Sequence, residues 1–63
     1  MLSEKEIIPP YKFKIGDTCQ TLDEVITGMV CDREWREDEC WFRLKNLKGL
    51  DAWFRATTLT RIQ

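Results

Sequence analysis

The sequence predicts an all-β domain of about five short strands closed into a small barrel. Three observations lead there. No stretch of useful length repeats its apolar residues at the helical period. Several short runs alternate apolar and polar residues instead. Turn signals interrupt the chain roughly every 6–12 residues, the punctuation of a small β-architecture. The chain has 63 residues, too few for a two-sheet sandwich of roughly 100.

The elements follow in chain order. Residues 1–10, "MLSEKEIIPP", read as a tail, because Pro9 and Pro10 cannot continue a helix. Ser3 and Glu6 have the spacing of a capping box, with room for about one turn. Ile7 and Ile8 are the apolar exception, placed to dock on the domain or on a second subunit. The domain proper spans 11–63. "YKFKI" alternates, with Tyr11, Phe13 and Ile15 on one face, and reads as a first strand. "GD" at 16–17 is a turn signal, and "TCQTL" follows. In "ITGMVCDREW", Ile26, Gly28 and Val30 share a face, with Met29 and Cys31 on the other. Gly28 inside that pattern implies a bulge or a close backbone approach. "REDE" at 36–39 is a polar connection. "CWFRLKN", "LDAWFRA" and "TRI" are the remaining strands, and "TTL" at 57–59 is a 3₁₀ turn before the last.

The "LKG" loop decides the register of the central hairpin. Three residues ending in glycine suit a type I turn followed by a left-handed residue in a G1 bulge, and Gly49 accepts the positive φ. Counting outward pairs Lys45 with Asp51, Leu44 with Ala52, Arg43 with Trp53, Phe42 with Phe54 and Trp41 with Arg55. One face then carries Cys40, Phe42, Leu44, Leu50, Ala52, Phe54 and Ala56. The other carries Trp41, Arg43, Lys45, Asp51, Trp53 and Arg55. A loop one residue longer or shorter would put arginines into the core, at several kcal/mol for each unpaired guanidinium.

In this order and spacing, "FKIGDTC" (13–19), "TGMV" (27–30), "WFRLKN" (41–46), Gly49, "WF" (53–54) and "TTLTRI" (57–62) resemble an SH3-like barrel of the compact bacterial or phage type. The resemblance covers about residues 13–62 and implies a five-stranded barrel with a 3₁₀ turn before the last strand. It carries no fixed function. The ALYDY-type start and Pro-Tyr ending of eukaryotic signalling members are missing, so proline-peptide binding is not implied.

The outward tryptophans need a reason. One reading is a self-satisfied ladder of Trp against Arg, with the tail folded over the rings. The other is a binding face, since Trp and Arg are enriched at interface hot spots. The candidate partner-binding residues are Trp41, Arg43, Lys45, Trp53 and Arg55. Trp35 extends the patch from the neighbouring strand, its parity across "DREW" left open. A protein partner is the first expectation. Single-stranded nucleic acid, stacked on the tryptophans with cations on phosphate, is the second. A weak homo-oligomer through strand edges or the Trp face is the third.

Charge sets limits on these readings. The net charge is −1, which disfavours a protein built to coat phosphate backbones. "DREWREDE" (32–39) holds five acids and two arginines, whereas 43–55 tips basic; such a dipolar surface orients a charged partner. Three cysteines, Cys19, Cys31 and Cys40, form no CxxC, and there is no histidine. No metal site and no Ser–His or Cys–His nucleophile is expected. Nor is there a glycine-rich phosphate loop. The expectation is a non-enzymatic protein without cofactor. No apolar run approaches the ~18 residues that span a bilayer. The start lacks the layout of a signal peptide, and a cytoplasmic location follows as the expectation.

Overall fold

The computed structural model describes residues 11–62. The expected tail, with Ile7 and Ile8, lies outside the described residues. Five antiparallel strands form one open sheet: β1 (Thr18–Thr21), β2 (Thr27–Arg36), β3 (Glu39–Lys45), β4 (Asp51–Arg55) and β5 (Leu59–Arg61). Their spatial order is β4-β3-β2-β1-β5. A 3₁₀ turn, Ala56–Thr58, separates β4 from β5, one residue earlier than "TTL". No helix among the described residues is long and apolar enough to cross a membrane.

The β3–β4 hairpin adopts the register that the glycine predicts. Trp41 pairs with Arg55, Phe42 with Phe54, Arg43 with Trp53, Leu44 with Ala52 and Lys45 with Asp51. Gly49 has φ +98, and its N–H donates to the Asn46 carbonyl at 3.3 Å. The Asn46 side chain completes the turn by accepting from the amides of Lys48 and Leu50 at 2.8 and 3.0 Å. The inner face of the hairpin supplies Phe42, Leu44 and Ala56 to a buried core with Phe13, Cys19, Val30 and Leu59, and Tyr11, Cys40, Leu50 and Phe54 pack against it. Ring edges carry part of that packing: Phe13 meets Phe42 with centroids 5.0 Å apart at 63°, a favoured aromatic geometry.

The structure corrects two expectations and selects between the two alternatives at Gly28. "YKFKI" is not a strand. A turn closes over it, with the Asp17 amide donating to the Lys14 carbonyl at 3.0 Å and Gly16 at φ +99. Tyr11 and Phe13 still face the core, but Ile15 is exposed. The bulge sits at Cys31, three residues beyond Gly28: Val30 pairs with Leu44 and Asp32 with Arg43, leaving Cys31 as the extra residue. Gly28 itself is the close approach, because a Cβ there would lie 3.0 Å from the Lys45 carbonyl oxygen and from Leu50 Cδ2. The connection at 36–39 is shorter than expected. Arg36 pairs with Glu39, so Glu37 and Asp38 form the whole loop, at φ +50 and +69.

That last loop has the mirror-type turn a two-residue hairpin requires, filled by residues that resist it. A non-glycine residue in the left-handed region costs about 1 kcal/mol or more. Replacing Glu37 by Asn and Asp38 by Gly should stabilise the domain by about 1 kcal/mol and raise its midpoint by roughly 4–8 °C, read by thermal unfolding. An unchanged or lower midpoint would refute this account of the turn.

Candidate functional site

The outward face is built from β3 and β4 plus the far end of β2. The alternation of β3 sends Trp41, Arg43 and Lys45 outward, and the register brings Trp53 and Arg55 beside them. Five of the six candidate residues are therefore together on one face. Trp35 is not among them. The extra residue at Cys31 reverses the alternation of β2, so that Trp35 pairs with Cys40 and Arg33 with Phe42, both on the inner side. The Trp35 ring lies 5.8 Å from that of Tyr11. Its Nε1 is buried without a hydrogen-bond partner, the one such side-chain atom among the described residues.

The same reversal delivers residues that the alternation did not point to. Asp32, Glu34 and Arg36 now face outward, opposite Arg43, Trp41 and Glu39. Arg36 lies over both tryptophans, its guanidinium carbon 5.1 Å from the Trp41 centroid and 4.8 Å from that of Trp53. Arg55 also lies over Trp41, its guanidinium carbon 5.1 Å from the ring centroid. The outer face is thus a stack in the order Trp53, Arg36, Trp41, Arg55. Both rings are half-buried, because a guanidinium plane removes ring surface from water while keeping its own edge hydrated.

Each arginine of the stack region also has a carboxylate. Arg36 Nε donates to Glu34 Oε1 at 2.9 Å, and Arg55 Nε forms an ion pair with Glu39 Oε1 at 2.8 Å. Arg43 makes a fork to Asp51, 2.6 Å from Nε to Oδ1 and 2.9 Å from Nη2 to Oδ2. The hydrogen bonds from Arg43 hold the Asp51 carboxyl below its ordinary value, and those to Asp51 raise the guanidinium. This replaces two expected contacts. Lys45 faces Asp51 in register, but a planar fork matches a carboxylate better than a point charge does. Arg43 turns to Asp51, and Arg36 rather than Arg43 covers Trp53. Of the expected cations on this face, only Lys45 forms no ion pair among the described residues.

Other chemistry is sparse. The three cysteines are free thiols, and burial pushes Cys19 and Cys40 up, away from nucleophilic thiolate character. The Cys31 thiol donates to the Arg43 carbonyl at 3.5 Å, anchoring the bulge. No cluster of metal-ligating side chains occurs among the described residues. No protein-family model matches this chain, and comparison with curated proteins and with solved structures produces no match.

Proposed function

We propose that this chain is a small, non-enzymatic protein-binding module on an SH3-like barrel, and that it engages a protein partner through the outward Trp/Arg face of residues 40–56. The strand order β4-β3-β2-β1-β5 and the 3₁₀ turn before β5 support the barrel. The carrying observation for the function is the charge-balanced stack: Trp53, Arg36, Trp41 and Arg55 in series, with Arg36 and Arg55 each on a glutamate. Ordered Trp and Arg side chains are the anchors that protein interfaces favour, and their immobilisation before binding reduces the ordering cost of association. The same balance speaks against nucleic acid. Phosphate binding draws on cations that are free to exchange partners, and the three arginines here already hold carboxylates.

The test is the double variant Trp41→Ala/Trp53→Ala. Both residues lie outside the buried core, so the variant should keep its β-sheet circular dichroism and a cooperative unfolding transition. Quantitative affinity enrichment should lose the specific partners of the wild type. An unfolded double variant would remove the outward assignment, and a folded variant that retains every partner would remove the binding face. Salt-dependent binding of labelled single strands at tens of micromolar, read by anisotropy, would favour nucleic acid instead.

A further inference from the structure

A second surface lies at the other end of β3 from the 37–38 turn. A groove of about 610 Å³ runs between the β1–β2 connection and the β3–β4 loop. Its floor is made where Gly28, lacking a Cβ, lets Leu50 approach β2. Its sides are exposed hydrophobic residues: Val25 is 75% exposed, Met29 49% and Leu47 106%. Large apolar side chains gathered on one concave surface of so small a domain mark a contact site more often than chance.

Both walls are held in place. Asn46 Nδ2 donates to the Thr27 carbonyl at 2.8 Å, tying the loop to the start of β2. On the other side Asp23 Oδ1 accepts from the Val25 amide at 3.1 Å and from the Thr21 hydroxyl, and the Ile26 amide donates to Thr21 Oγ1 at 3.1 Å. The Thr21 hydrogen bond holds the Asp23 carboxyl below its ordinary value. The groove therefore exists before anything enters it.

Its charge is one-sided. Lys45 and Lys48 line it, and no carboxylate does. Neither lysine makes an ion pair among the described residues. Asp51, opposite Lys45, gives both oxygens to Arg43. The contrast with the Trp/Arg face is direct: there the arginines are paired, and here the cations await a partner beside an apolar trough.

We infer that this groove binds a short acidic–apolar segment of a partner protein, with apolar side chains seated against Val25, Met29 and Leu47 and carboxylates on Lys45 and Lys48. The groove shares Lys45 with the edge of the Trp/Arg face but none of its tryptophans or arginines, and the inference does not depend on that face binding anything.

The experiment pans a random peptide display library against the whole chain. Enriched peptides should combine Asp or Glu with Leu, Ile or Phe. An enriched peptide, synthesised and titrated into isotope-labelled protein, should shift the amides of 25–29 and 45–50 and leave the Trp41 and Trp53 indole signals in place. Lys45→Gln/Lys48→Gln, at two exposed positions, should weaken it about tenfold, as expected for losing two solvent-exposed charge contacts. Leu47→Ser should weaken it as well. The inference is overturned by a library without enrichment, by enriched sequences that are basic or uncharged, by shifts confined to the tryptophan face, or by affinity unchanged in the lysine variant. Binding to phosphatidylserine vesicles without peptide enrichment would make the groove a lipid site, which also overturns it.

Discussion

Phe42→Ala should leave the domain unfolded, or at best marginally folded, at room temperature. Phe42 is fully buried. It lies at the meeting point of three parts of the chain. On β3 it pairs with Phe54 of β4 and with Arg33 of β2, and its ring touches those of Phe13 and Tyr11 from the segment before β1. Truncating a buried phenylalanine costs about 3–5 kcal/mol, through lost transfer energy and the cavity left behind. A domain stabilised by roughly 0.05–0.15 kcal/mol per residue has about 3–9 kcal/mol in total at this length, and small domains bury the least of their surface. The loss is therefore comparable to the whole. Urea unfolding followed by circular dichroism should show no native baseline, or a midpoint near zero denaturant. Phe54→Ala, at a half-buried position, should lose clearly less. A Phe42→Ala protein with a midpoint near that of the wild type would remove this ring from the centre of the core.

Gly28→Val should be comparably damaging for the opposite reason. A Cβ at position 28 would meet the Lys45 carbonyl oxygen at 3.0 Å, Leu50 Cδ2 at 3.0 Å and Leu44 Cβ at 3.1 Å. Leu50 can turn its side chain away, but the Lys45 carbonyl and Leu44 Cβ belong to the adjoining strand and move only with the sheet. Gly28→Ala should cost about 1–3 kcal/mol as overpacking, and valine's two further methyls should exceed that. The control is Gly49→Ala. Nothing lies within 4 Å of a Cβ there, so its loss comes from the left-handed backbone alone, about 1 kcal/mol. Adding Leu50→Ala to Gly28→Ala should give a double variant that loses less than the sum of the two, because the contacts are shared. Strict additivity in denaturant midpoints would show that the close approach is not what position 28 requires.

Much of the hairpin was legible beforehand, and the reasons are local. Gly49 selects a loop length, loop length selects register, and register places Phe42 opposite Phe54 and Trp41 opposite Arg55. Each step needs only the residues involved. The polar "REDE" segment was harder to read, because Glu37 and Asp38 occupy a turn conformation that their side chains disfavour. The strand pairing of Arg36 with Glu39 imposes it. "YKFKI" misled because alternation reports which residues face a core, and Tyr11 and Phe13 do; it does not report a ladder partner, and none is present among the described residues.

The candidate face divides along the same line. A two-residue period and one glycine turn suffice to put Trp41, Arg43, Lys45, Trp53 and Arg55 on one outward side of the hairpin. What surrounds them depends on how β2 is set against the hairpin in three dimensions. A single extra residue at Cys31 reversed β2, sent Trp35 to the inner side and brought Glu34 and Arg36 out. A bulge depends on how two distant strands settle against each other, and nothing local in "VCDREW" announces it. With Arg36 in place the tryptophans are stacked and their cations paired, while Lys45 and Lys48 make no ion pair among the described residues beside the Gly28 groove. Which charge meets which ring is a matter of side-chain reach across strands, and that distance is set only when the sheet forms.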